Sequence, residues 1–207
     1  MPDISHVHVT KSRHVIPYGH FLNTADRLLE VGRSMDTTPS YFFLASLSFR
    51  AFALEAFLNH IGTSLFESWP EIERKLEPKS KLALIAEKLE IKVDYGSQPW
   101  QLVPELMGFR NQVVHGKSEV LTDEYVVPIE EHFEEVFVKF MWADWEEFST
   151  EANASRVKKQ LEELIRFMWK AAELEGDPLE LTVMQERRAK GMTKEELSNN
   201  SFNGRRR

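Results

Sequence analysis

The sequence predicts an all-α protein, an antiparallel bundle of about six helices. Three observations carry that expectation. Apolar residues recur at helical spacing along most of the chain, the pattern of elements with one buried face. Clusters of Pro, Gly, Asp, Asn and Ser fall between those stretches rather than inside them. Strand signals are few. With 207 residues, 42% of them hydrophobic, the chain can bury one full core.

Taken in order, residues 1–20 show no clear period and read as an N-terminal arm, extended or looped, that carries His6, His8, His14 and His20. Phe21 to Arg33 has a helical stripe of Leu22, Ala25, Leu28, Leu29 and Val31, broken by Asp36-Thr37-Thr38-Pro39-Ser40, where Ser40 is the expected cap of the next helix. Tyr41 to Leu65 is apolar over most of its circumference and is therefore expected to be the central, buried helix. Pro70 and Pro78 bracket a short irregular piece, and Ser80 to Leu89 forms a further helix. After the turn chemistry of Asp94 to Pro99, Trp100 to His115 reads as a helix with Pro104 in its first turn and Gly116 as a left-handed stop. Ile129 to Phe148, rich in aromatics, and Ser155 to Leu174 complete the bundle, which is expected to span residues 21–175. Residues 176–207 read as a partly flexible C-terminal extension, with Thr193 and Glu196 able to start one short helix.

The net charge is −7 and the isoelectric point about 5.6. Such a chain is a poor coat for nucleic acid, because non-specific binding is driven by cation–phosphate contacts. It can still act on RNA through a local basic pocket, being then selective or needing a partner to bring the substrate. There is no Cys, which excludes disulfides and thiolate metal sites. The first residues hold no continuous apolar block of the kind a secretory signal needs, and the richest apolar stretch, Tyr41 to Ile61, is interrupted by Arg50, Glu55 and Asn59. The expectation is a cytoplasmic protein with no membrane partner.

The chemistry concentrates in Phe109-Arg110-Asn111-Gln112-Val113-Val114-His115-Gly116-Lys117. Arg110 is a permanent cation whose planar fork matches phosphate oxygens. His115 is the side chain able to give or take a proton near neutrality, and it sits in a last turn whose unpaired carbonyls favour a cation. At about 100° per residue, Asn111 and His115 lie about 40° apart, one turn from each other, with Arg110 at the edge of their face. The set suits attack of an RNA 2′-hydroxyl on its own phosphate: His115 relays the proton, Arg110 stabilises the added charge and Asn111 orients groups. Lys117 adds a cation for the substrate, and no metal or other cofactor is required. The plain alternative is a surface ion pair, a polar helix end and a capping histidine. On the central helix, Ser48, Glu55 and Asn59 fall on one stripe, and a buried Glu55 must be paired, with Arg110 or a nearby Lys as its partner.

With Leu54-Glu55-Ala56-Phe57-Leu58-Asn59, a Lys-bearing segment from Lys75 to Lys81, and Glu105 to Lys117, the chain resembles the HEPN superfamily over about residues 21–169. Those helical bundles are marked by Arg, four to six residues, then His, often with a polar residue directly after the Arg; here the spacing is four and the polar residue is Asn111. The resemblance implies a metal-independent endoribonuclease of the toxin–antitoxin or phage-defence type. It also implies a homodimer whose two Arg…His motifs share one cleft, with Arg110, Asn111 and His115 as the site and an antitoxin or other protein as a further partner. Some members are inactive scaffolds, so a non-catalytic binding or regulatory bundle is the second expectation.

Other candidates carry less. The four N-terminal histidines lack a carboxylate pattern and read as solvated rather than metal-binding. Glu130, Glu131, Glu134 and Glu135 read as the wet face of a helix, a carboxylate–metal bundle being the alternative. Trp142, Trp145 and Trp169 read as core or interface anchors, and Arg205 to Arg207 as a charged tail.

Overall fold

In a computed structural model of the chain, residues 4–124, 126, 140–180 and 183–193 are described. The described residues include seven α-helices: α1 Pro17–Ser34, α2 Pro39–Leu65, α3 Trp69–Ile72, α4 Pro78–Lys88, α5 Leu102–Val114, α6 Asp144–Phe148 and α7 Glu151–Ala171. The protein is mostly helical, as expected of an all-α bundle.

Helix α2 is the axis of the helical unit. It is apolar nearly all round, so it has no single wet face, and α1, α4, α5 and α7 all pack on it. Leu47, Leu54, Phe57, Leu58 and Ile61 are buried along its length. They meet Tyr18, Leu22, Ala25 and Leu29 from α1, Leu82 and Ile85 from α4, Leu102 and Leu106 from α5, and Val157, Leu161, Leu164 and Met168 from α7 among the buried residues. At roughly 1.5–3 kcal/mol per large apolar side chain, this burial is the dominant stabilising term. By length and composition α2 is also long and apolar enough to cross a membrane, with half of its most apolar window buried inside the bundle. At its C-terminal end Gly62 is required by packing: an added Cβ would collide with the indole of Trp69.

One charge is built into the interior. Arg50, in the middle of α2, is fully buried. Its Nη2 donates to Oδ1 of Asp26 on α1 at 2.6 Å, and Lys158 of α7 donates to the other oxygen of Asp26 at 2.7 Å. Burial lowers the pKa of Arg50, and the hydrogen bond to Asp26 works against that shift. Desolvation of a guanidinium costs several kcal/mol unless a partner offsets it, so this pairing fixes the register of α1, α2 and α7 rather than adding much net stability. Helix α5 is locked to α7 by a two-pronged bond: Nη1 and Nη2 of Arg156 donate to the two oxygens of Glu105 at 2.9 and 2.7 Å.

Several local expectations need correction. Of the two forms expected for the arm the extended one is found, and it is paired: Ile4–Val15 is a strand, β1, antiparallel to β2, Val183–Thr193, with a register shift between Ile4 and His6. Helix α1 then begins at Pro17, inside the stretch assigned to the arm. The strand pair and the helical segment belong to two separate compact units. Thr193 is the last residue of β2, and the short helix expected to start from Thr193 and Glu196 lies outside the described residues. The cap of α2 is Thr38, in left-handed conformation at φ 55°, with Pro39 following as the first helical residue and no cap bond from the Thr38 side chain. Gly116 is not among the residues of positive φ, since α5 closes on His115 with ordinary backbone angles of φ −99° and ψ 19°. Of the helix expected over Ile129 to Phe148, residues 140–143 are non-helical and Asp144–Phe148 is helix α6. Glu130, Glu131, Glu134 and Glu135 lie outside the described residues, as do Glu196 and Arg205 to Arg207.

Candidate functional site

The candidate site forms at the C-terminal end of α5. Leu102, Val103, Leu106 and Phe109 are buried and point one side of the helix into the bundle, so Arg110, Asn111 and His115 are turned toward the surface. Phe109 packs on Phe148 of α6 with ring centroids 4.9 Å apart, and the Glu105–Arg156 pair sets the rotation of the helix one turn earlier. Arg110, Asn111 and His115 line one open groove of about 450 Å³, whose other wall is Glu77, Pro78 and Lys79 at the start of α4.

Arg110 is aimed from two sides. Its Nη2 lies 3.5 Å from Oε2 of Glu55 on α2, and its Nη1 donates to Oδ1 of Asn111 at 3.1 Å. The other oxygen of Glu55 accepts from Nζ of Lys81 at 3.3 Å, and Lys81 itself is buried. Glu55 therefore receives both the Arg and a Lys, each of which was a possible partner on sequence alone. Together these pairs hold the guanidinium of Arg110 at the groove wall, between Glu55 and Asn111. The Nε of Arg110 and the Oδ1 of Asn59, a turn beyond Glu55, are both buried without a partner among the described residues. Each such atom carries a desolvation cost that no hydrogen bond among the described residues offsets.

His115 is exposed and caps α5, its backbone N–H donating to the carbonyl of Asn111 at 3.0 Å. It lines two cavities, the groove with Arg110 and Asn111 and a second one of about 490 Å³ that includes Lys117. Lys117 is thus brought to His115 but stands on the other side from Arg110.

Lys79, Trp145 and Gln112 were not assigned to the site from sequence, though all three line its cavities. Lys79 and Trp145 come from separate elements, and no spacing rule connects α4 or α6 to the end of α5. Lys79 also lies over the ring of Tyr95, 5.7 Å from its centroid. Trp169 is buried and stacks on His60, Trp142 is half exposed, and Trp145 is half buried at the second cavity. His6, His8 and His14 fall on β1 and His20 on α1, and no group of three or more potential metal ligands occurs among the described residues.

No protein-family model, curated protein or solved structure matches the chain.

Proposed function

We propose that the protein is a metal-independent endoribonuclease acting on selected RNA. The observation that carries the reading is the single groove shared by Arg110, Asn111 and His115, with Arg110 steered into it by Glu55 and Asn111. A phosphodiester lying in the groove meets the guanidinium through its non-bridging oxygens. The 2′-oxygen attacks the adjacent phosphorus, the bond from phosphorus to the 5′-oxygen breaks, and a 2′,3′-cyclic phosphate and a 5′-hydroxyl result. One imidazole removes the 2′-proton and another protonates the leaving 5′-oxygen. A homodimer supplies both, one His115 from each protomer across a shared cleft, while Arg110 stabilises the charge on the pentacovalent phosphorus. Lys117 holds the strand beside His115. A cytoplasmic toxin or phage-defence role, with an antitoxin or other protein as regulator, fits such an activity.

A second reading is favoured by one fact: Arg110 is already engaged by Glu55 and Asn111, as it would be in a bundle that only binds partners. Incubation of total RNA with the protein in the presence of a chelator separates the two. Cleavage giving cyclic-phosphate ends, reduced at least about 100-fold in His115→Ala, is the expected result. Absence of cleavage, or cleavage unchanged in that variant, rejects the ribonuclease reading, and a monomer by light scattering at micromolar concentration rejects the shared cleft.

A further inference from the structure

The cavity on the far side of His115 has a different character from the Arg110 groove. It is lined by Gln112, His115, Lys117, Glu119, Asp144 and Trp145, among others, and its volume of about 490 Å³ suits a single nucleoside. We propose that it is a nucleobase subsite with a preference for guanine, holding the nucleotide next to the bond that is cut. This inference rests on the ribonuclease reading for the identity of the strand, and on the cavity itself for the base.

Three features lead to it. His115 lines both cavities, so a strand occupying both passes its phosphate over the imidazole. The two cavities also differ in charge. The groove sets Arg110 and Lys79 against Glu77, whereas the second cavity sets Lys117 against Asp144 and Glu119. Two carboxylates repel a phosphate but accept hydrogen bonds from a neutral base. Finally, the walls offer the groups by which single-stranded RNA is read, an aromatic face for stacking and polar groups for the base edge.

Trp145 supplies the face. It is half buried on α6, and that short helix is fixed: Ser149 Oγ donates to the Trp145 carbonyl at 2.7 Å, the N–H of Ala143 donates to Glu146 at 2.9 Å, and Phe148 packs on Phe109. Asp144 supplies two acceptor oxygens and Gln112 an amide with donor and acceptor. Guanine presents N1–H and N2–H side by side, which a carboxylate accepts as a charge-assisted pair. Uracil presents one N–H flanked by two carbonyl oxygens, which a carboxylate repels.

The test titrates the full chain with guanosine 3′-monophosphate and uridine 3′-monophosphate, following calorimetry and tryptophan fluorescence. The guanine nucleotide is expected to bind at least about tenfold tighter, the ratio that one stacking or charge-assisted contact gives. Trp145→Ala is expected to lose about tenfold for guanosine 3′-monophosphate, with Trp145→Phe retaining most of the affinity because it keeps a ring. Asp144→Asn, at an exposed helix start, is expected to fold normally and to bring the guanine-to-uracil ratio close to one. Equal or absent binding of the two nucleotides by the wild-type chain overturns the proposal, as does a ratio unchanged in Asp144→Asn; this last arm stands even if Trp145→Ala fails to fold. RNA cleavage measured on the same preparations keeps the two readings apart: cleavage without base-selective binding removes only the subsite, and guanine-selective binding without cleavage removes only the ribonuclease.

Discussion

Tyr18 is fully buried at the start of α1, where its hydroxyl donates to the carbonyl of Pro178 at 2.8 Å and its ring meets Phe57 edge-on. Burial, with a smaller contribution from the negative charge of Asp177, raises its pKa from 10.0 to about 12. The neutral phenol is the form the fold keeps, so its contribution is fully present below pH 10 and is lost as pH rises from about 10 towards 12, where the unfolded chain ionises and the folded one does not. A shift of that size corresponds to about 3 kcal/mol. Tyr18→Phe removes the hydrogen bond and leaves the Pro178 carbonyl without it, so it is expected to destabilise by about 1 kcal/mol at neutral pH. In urea unfolding at pH 7, 10 and 11.5, the deficit of the variant should shrink and then reverse. A constant deficit across the three would show that the phenol does not titrate with folding.

At the level of the element, α5 contains a residue that packing does not explain. Gly108 lies in the helix interior and lines the groove, yet an added Cβ would meet nothing within 4 Å. Glycine there costs about 1 kcal/mol of helix stability relative to alanine. Gly108→Ala is therefore expected to raise the melting temperature by a few degrees, and if the groove holds a phosphodiester, to reduce RNA cleavage severalfold by taking space from it. A variant both more stable and fully active would leave the glycine without a part in binding. The long helices were legible because α1 and α7 carry apolar stripes of helical period and α2 is apolar nearly all round, whereas the short α3 and α6 hold too few residues to show a period. The partnering of Glu55 was legible too, since a carboxylate on an apolar helix must find a cation. The strand pair was not. Val7 and Val9 alternate with His6, His8 and Thr10 in the period of a strand, but the partner that makes the pattern count is at the opposite end of the chain. For the same reason the motif at Arg110 to His115 was visible within one helix, while Lys79, Gln112 and Trp145 needed the packing of α4, α5 and α6 to be recognised as cavity walls.

For the whole molecule, the balance of charge decides how the ribonuclease proposed above would hold RNA. A chain of net charge −7 repels a polyanion over most of its surface, so the attraction must come from a few cations near the end of α5. Arg110, Lys79 and Lys117 are the candidates that line the two cavities, and Glu77, Asp144 and Glu119 stand among them. Each phosphate neutralised on a single strand changes the slope of log K against log salt by about −0.7. Three cations from one protomer then give a slope of about −2, and the cations of both protomers on one strand about −4. A labelled single-stranded oligonucleotide made uncleavable by 2′-O-methyl groups, titrated at several salt concentrations, measures this directly. Lys79→Ala should weaken binding of all sequences alike and flatten the slope by about 0.7 per site. If the second cavity holds a base as proposed, Asp144→Asn should leave the slope nearly unchanged while altering which sequences bind. A slope steeper than about −6 would require a broad cationic surface, and one near zero would mean that no phosphate is held by these side chains at all.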